Sequence, residues 1–274
     1  MDSLRQKRIL AIKPPFIFSS KLRHITGLLI VVGIYYWAIK GTDTNPATFF
    51  RGIPYMWDFF VGMFPPDVAI LPQALTAIGE TIQMAIMGTT LGAIIAFPLS
   101  FLAARNVMPY RPVYQATRTL FDLCRGINEI VWALLFVAMV GLGPFPGVLA
   151  LTVHLIGALG RYFSEAIENT NQELVTAIAS TGANRVQTVY YGIIPQVRTL
   201  FVGYTFYYFE HCFRAATVLG LVGAGGIGLL LQESISLIRY QETLTILILM
   251  VVTVVLIDRI SAFMRMRFMT GVEG

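Results

Sequence analysis

The stretch Glu173–Pro195, ELVTAIASTGANRVQTVYYGIIP, decides how the rest of the chain is read. It is a polar insertion between long apolar runs. A short helical run, Leu174 to Ser180, precedes Gly182 and Ala183, and a second run closes at Ile193-Ile194-Pro195. Gly182 suits the end of a helix, where a positive φ is often required. Pro195 suits the first turn of the next helix, where its missing N–H leaves no bond unmade. The pattern predicts helix, turn, helix: a firm knob projecting from an apolar body.

That body is membrane-like. Of 274 residues, 56% are hydrophobic and 13% charged, and the mean hydropathy is +0.69. A soluble domain carries about 25% charged residues. An all-α integral membrane protein is expected. The opening MDSLRQKRILAIKPPF has too short an apolar run, and no small-residue cleavage site, for a cleavable signal. Cys124 and Cys212 have no metal-ligand spacing and read as small buried hydrophobes.

Outward from the knob, charge orients the spans. Residues 1–24 carry Arg5, Lys7, Arg8, Lys13, Lys21 and Arg23 against Asp2, which predicts a cytoplasmic N-terminus. Ile25 to Ile39 is the first span. Residues 41–73, with Arg51 as their one basic residue, are expected outside. Phe49, Phe50, Ile53, Met56, Trp57, Phe60 and Val61 recur there at helical spacing. They predict an amphipathic helix at the outer interface or an aromatic loop packed on the bundle. The second span is Ala74 to Ala104, with Gly88-x-x-x-Gly92 for close helix approach, Pro98 for a kink and a solvated Glu80 near its outer end. Arg105, Arg111, Arg118 and Arg125 mark an inner loop. The third span is read from Thr119 to Leu142 and the fourth from Val148 to Phe163. His154 in the fourth reads as a hydrogen-bonded core histidine rather than a ligand. The fifth runs from Val197 to Leu219 and the sixth from Glu242 to Ile257, with Arg259, Arg265 and Arg267 placing the C-terminus inside. The plan is about six transmembrane helices with both termini cytoplasmic.

Two charged pairs lie in or beside these spans. Arg125 and Glu129, and Glu210 and Arg214, are each four apart and are expected to share a helix face. Charges in a membrane usually face a bundle interior or a wet cavity. One reading makes each pair a structural stitch. The other makes Arg125, Asn128, Glu129, Glu210, His211 and Arg214 a partly cationic pathway for an anion, since arginine forks bind oxyanions bidentately. Gly223, Gly225, Gly226 and Gly228 fit G-x-G-x-x-G, but no βαβ unit surrounds them. They read instead as a helix break or gate. The chain also lacks G-x-x-x-x-G-K-[ST], so it is not expected to bind ATP through a P-loop.

The knob resembles the cytoplasmic coupling loop of binding-protein-dependent ABC importer permeases, whose pattern is Glu-Ala-Ala, three residues, Gly, nine residues, Ile-x-Leu-Pro. Ala177, Gly182, Ile194 and Pro195 fall at matching spacings, with Ile194 for Leu; Thr176 replaces the Glu, Ile178 the second Ala and Gly192 the Ile. The runs 124–151, 180–197 and 213–235 resemble the phosphonate/phosphite branch. The resemblance implies a type I importer transmembrane domain in the bacterial inner membrane. It implies a second permease subunit (a homodimer is simplest), two ATP-binding subunits and an external solute-binding protein. Membrane lipid is the remaining partner, and no nucleic acid is expected. ATP and Mg would be used by the partner ATPase, with no cofactor or metal held by this chain and no catalysis. Thr176, Ala177, Gly182, Ala183, Ile194 and Pro195 would couple to the ATPase. The implied cargo is phosphonate, phosphite or a related phosphorus oxyanion. The organisation is then an N-terminal segment 1–24, a first span with external segment 25–73, a permease core 74–262 with coupling loop 173–195, and a tail 263–274.

Two other classes compete. A proton-coupled secondary transporter for small anions would use Glu129, Glu210 or His154 as proton carriers. Such proteins often carry broken helices at matching positions, and the sequence offers one break, at 220–228. A membrane-embedded enzyme would need a nucleophile–base or metal constellation that three scattered histidines and two cysteines do not suggest.

Overall fold

The computed structural model describes residues 20–42 and 46–270, which are mostly helical with no strand among them. Most of the basic N-terminal segment and the last residues of the tail lie outside the described residues. The chain divides into two compact units, residues 1–59 and 60–274.

The first unit holds α1 (Ser20–Gly41) and most of α2 (Pro46–Gly62). α1 covers the expected first span, and its apolar side chains are exposed along its length. α2 is a helix, as the spacing of 49–61 predicts, and it carries Pro54 within it.

In the second unit, α3 (Leu71–Leu102) and α6 (Pro144–Glu168) form the central pair. Both open with proline in the first turn, where no N–H is needed. α3 carries Pro98 inside it without ending. Gly88 and Gly92 are where the two helices meet. A β-carbon on either would lie 2.7 Å and 2.6 Å from the Cβ atoms of Leu151 and Leu155, so only glycine permits this approach. α9 (Ile194–Leu219) packs on both through aromatic rings, with Phe163 and Phe201 stacked at 4.2 Å and Phe97 edge-on to Phe201 at 5.9 Å. α11 (Tyr240–Thr270) joins α9 where Ser261 Oγ donates to the Phe206 carbonyl at 2.9 Å.

The expected third span is not one helix. α4 (Arg111–Gly126) and α5 (Glu129–Val140) meet at 86°. Arg118, Asp122 and Arg125 recur on one face of α4, which makes it strongly amphipathic and costly to bury in lipid. α5 alone has 12 residues, about 18 Å at 1.5 Å per residue, too short for a bilayer core of about 30 Å. Asn128 Oδ1 accepts from the Ile130 N–H and starts α5, while the Trp132 indole N–H donates to the Cys124 carbonyl at 3.1 Å and closes the end of α4. Four helical segments are long and apolar enough to cross a membrane unaided, at residues 24–41, 68–102, 144–168 and 240–268. The count reaches six when the bent pair 111–140 and the segment 185–236, bent by 40° near residue 223, each count as one. The sequence reading of a single break is therefore corrected to two.

That second bend lies between α9 and α10 (Gly226–Ser236). The Gly143 N–H donates to the Gly223 carbonyl at 3.0 Å. The Gly226 N–H donates to Glu80 Oε2 at 2.8 Å, and the Ile227 N–H to Thr81 Oγ1 at 2.9 Å. Glu80 is thus not a solvated carboxylate. It is half-buried and caps the α10 N-terminus, where a negative charge is favoured. Gly226 itself has φ +68°, a conformation that side-chain-bearing residues seldom adopt.

Candidate functional site

The knob forms as its sequence predicts. Asn171 Oδ1 accepts from the Glu173 N–H and opens α7 (Gln172–Ser180). Gly182 follows with φ +88° and empty space around its α-carbon. Asn184 and Gln187 then form a reciprocal capping box, at 2.9 Å both ways, that opens α8 (Arg185–Thr188). A π-helical turn, Val189–Ile193, carries the chain into α9, whose first turn holds Pro195. Gln196 ties both ends together, donating to the Gly192 carbonyl at 2.6 Å and accepting from the Asn171 N–H at 2.9 Å. Thr176, Ala177, Gly182 and Pro195 are exposed, and Ala183 and Ile194 are half-buried. Leu174, Val186, Tyr190 and Tyr191 are exposed apolar side chains beside them. Against the same knob a cavity of about 390 Å³ is lined by Arg105, Val175, Ala179, Ala183 and Arg185. Its base is fixed by Glu168, which accepts from the Arg105 N–H and pairs with Arg118, each at 2.8 Å.

The polar groups of the spans are sorted differently from the sequence pairing. Arg125 and Glu129 do not pair, because the break at residues 127–128 turns them apart. Arg125 lies 3.3 Å from Asp122, both exposed. Glu129 instead faces His154 Nδ1 at 3.7 Å and His211 Nε2 at 3.8 Å. The two imidazoles lie nearly parallel, 6.0 Å apart. His154 is not a hydrogen-bonded core residue, since its buried Nδ1 has no hydrogen-bond partner among the described residues. Asn128 acts as a helix cap. Glu210 and Arg214 do pair, at 2.8 Å, and Arg265 approaches Glu210 from α11 at 3.8 Å. Glu210 is 8% exposed and Arg214 49%, so the carboxylate is buried and the guanidinium reaches outward. Cys124 and Cys212 are free thiols, and Cys212 is buried.

A cavity of about 610 Å³ is lined by Asp122, Arg125, His154, Arg161, Tyr162 and Tyr208. Sequence reading missed Arg161, Tyr162 and Tyr208 at this cavity, and Arg265 beside Glu210. Arg161 had a signal, since 154, 158 and 161 share one helical face. Arg265 had none, because its partner is 55 residues away.

Residues 96–268 match the model of a family described as "Binding-protein-dependent transport system inner membrane component". A putative phosphite transport system permease protein, HtxC of Stutzerimonas stutzeri, is 44% identical over 78% of this chain and 76% of its own length. The phosphite transport system permease protein PtxC of the same organism is 34% identical over 90% of each chain. A solved structure of the MetNI methionine ABC transporter, in an inward-facing conformation, superposes with a TM-score of 0.65 over 74% of this chain and 99% of that chain, at 20% identity. Its fold is therefore shared, and the helical architecture is that of a type I importer transmembrane subunit.

Proposed function

Because the chain belongs to the family of binding-protein-dependent transport system inner membrane components, we propose that it carries phosphonate, phosphite or a related phosphorus oxyanion. It is a multi-pass inner-membrane transport subunit and not an enzyme, and it works with ATPase and external binding-protein partners. The findings support this reading and not the proton-coupled secondary transporter.

The observation that carries the mechanism is the exposed helix–turn–helix at 172–195. Its caps make it rigid and its apolar side chains are uncovered, as a docking surface requires. In this reading Thr176, Ala177, Gly182 and Ala183 seat in an ATPase cleft, and Ile194 and Pro195 set the return angle into α9. Two ATPase clefts call for two such loops, so two copies of this chain on a two-fold axis are the simplest assembly. ATP and Mg act in the partner, and closure of that motor pulls the loops together and turns the pathway outward.

Arg125, Asn128, Glu129, Glu210, His211 and Arg214 line or support the pathway, with Arg214 and Arg125 offering guanidinium groups to the anion. Gly223, Gly225, Gly226 and Gly228 form the gate where α9 turns into α10. The substrate class follows from relatives named for phosphite transport. The test is ATPase activity of the chain assembled with its ATPase and binding protein in lipid, against a panel of phosphorus oxyanions. Stimulation by loaded binding protein is the expected result. Proton-dependent uptake by this chain with no ATPase association sinks the reading.

A further inference from the structure

Glu129, His154 and His211 come from α5, α6 and α9, yet one ligand-type atom of each lies within 4.8 Å of the others. The two closest approaches, 3.7 and 3.8 Å, are too long for hydrogen bonds, which close to about 2.7–3.2 Å. The three groups therefore face one another without bonding, and buried His154 Nδ1 has no hydrogen-bond partner among the described residues. Leaving such an atom unpaired in a low-dielectric site is unfavourable, so an occupant is expected.

We propose that these three side chains form a binding site for a divalent transition-metal ion, with Zn²⁺ the best fit. Two imidazoles and one carboxylate are a common zinc donor set. Calcium and magnesium prefer oxygen ligands, which argues against them here. Tetrahedral zinc with bonds of about 2.0–2.1 Å sets its ligands about 3.3 Å apart. The two Glu129 oxygens lie 3.7 and 3.8 Å from the imidazole nitrogens, and one ligand atom from each residue falls within 4.8 Å of the others, so the side chains must draw inward to close on an ion. Glu129 lies in the first turn of α5, whose backbone fixes it in place. Glu129 and His154 are 14% and 15% exposed and His211 is 37% exposed, so an ion enters past His211 and finds the other two in place. Three protein ligands leave a fourth position open. A bound ion would staple α5, α6 and α9. The site shares Glu129 and His211 with the proposed pathway, but metal binding does not depend on the transport reading.

The chain has three histidines, so the test has an internal control. Full-length protein without a polyhistidine tag, in lipid nanodiscs, is titrated with Zn²⁺ by calorimetry and with Co²⁺ by visible absorption. One ion per chain is expected, with the intense bands of four-coordinate cobalt. His154→Gln and Glu129→Gln each lower the affinity by more than the roughly 10–100-fold that losing a mere outer-shell partner costs. His24→Gln changes nothing. Zn²⁺ also raises the melting temperature of the parent protein and of His24→Gln, but not of His154→Gln, which reads the site without relying on one fragile variant. Unsaturable binding, binding unchanged in His154→Gln, or the pale spectrum of six-coordinate cobalt overturns the proposal. So does phosphite binding to these residues in place of the metal.

Discussion

The knob at 172–195 and the polar groups of α4, α5, α6, α9 and α11 differ in where their partners come from. In the knob, the bonds that cap each turn join near neighbours, Asn171 to Glu173, Asn184 to Gln187 and Gln196 to Gly192, and the Asn171 N–H to Gln196 bond closes the loop. Among the polar groups, same-helix pairs such as Glu210 with Arg214 are joined by partners from different helices: Glu129 with His154 and His211, Arg265 with Glu210. The first kind of structure is written in spacing. The second is set by how helices cross, and a break of two residues is enough to exchange the partners of Arg125 and Glu129.

The largest effect expected is in the knob. Gly182→Asp places a charge on the proposed docking turn and should reduce uptake to background while the protein stays in the membrane. Gly182→Ala adds only a methyl in open space, so its cost is the backbone strain of a positive φ, about 1 kcal/mol. Uptake assays with membrane quantitation check both. Transport by Gly182→Asp with the ATPase still bound removes the coupling assignment.

Among the polar groups, Arg214→Gln removes a charge-assisted bond to a buried carboxylate. A bond to a charged group is worth about 1.5–3 kcal/mol, so uptake should fall by about tenfold or more. Assembly should change less. Normal transport by Arg214→Gln and by its double variant with Glu210→Gln would make the pair a structural stitch.

Glu80→Ala removes the cap on α10. A loss of about 0.5–2 kcal/mol in detergent unfolding is expected, and no loss would detach the α10 start from α3. The smallest effect sharpens the comparison most. A double-mutant cycle on Arg125 and Glu129 should give coupling below about 0.5 kcal/mol. A clear coupling would restore the single-helix pairing that the 86° bend abolishes.

Legibility in the sequence followed the same division. Residues with local rules were readable: Gly182 as a turn glycine, Pro195 as a first-turn residue, Gly88 and Gly92 as the crossing of two helices. The apolar runs placed α1, α3, α6, α9 and α11. The reading failed at residues 119–142, because it took an amphipathic helix and a short apolar helix for one span. The arginine spacing of α4 carried the warning. Glu80 and His154 were misjudged because their surroundings, Gly226 at one and Glu129 at the other, lie far along the chain.

The π-helical turn at Val189–Ile193 keeps the chain helical from Arg185 to Leu219. No flexible link separates the knob from the span. α9 alone has 26 residues, about 39 Å at 1.5 Å per residue. Unbroken helix of this length is stiff, so any tilt imposed at α8 would reach Glu210 and Arg214 along one element. At Gly223–Gly226 the helix ends, in a stretch whose backbone is held by Glu80 and Thr81 of α3 and by Gly143, so such a tilt would meet an anchored end there.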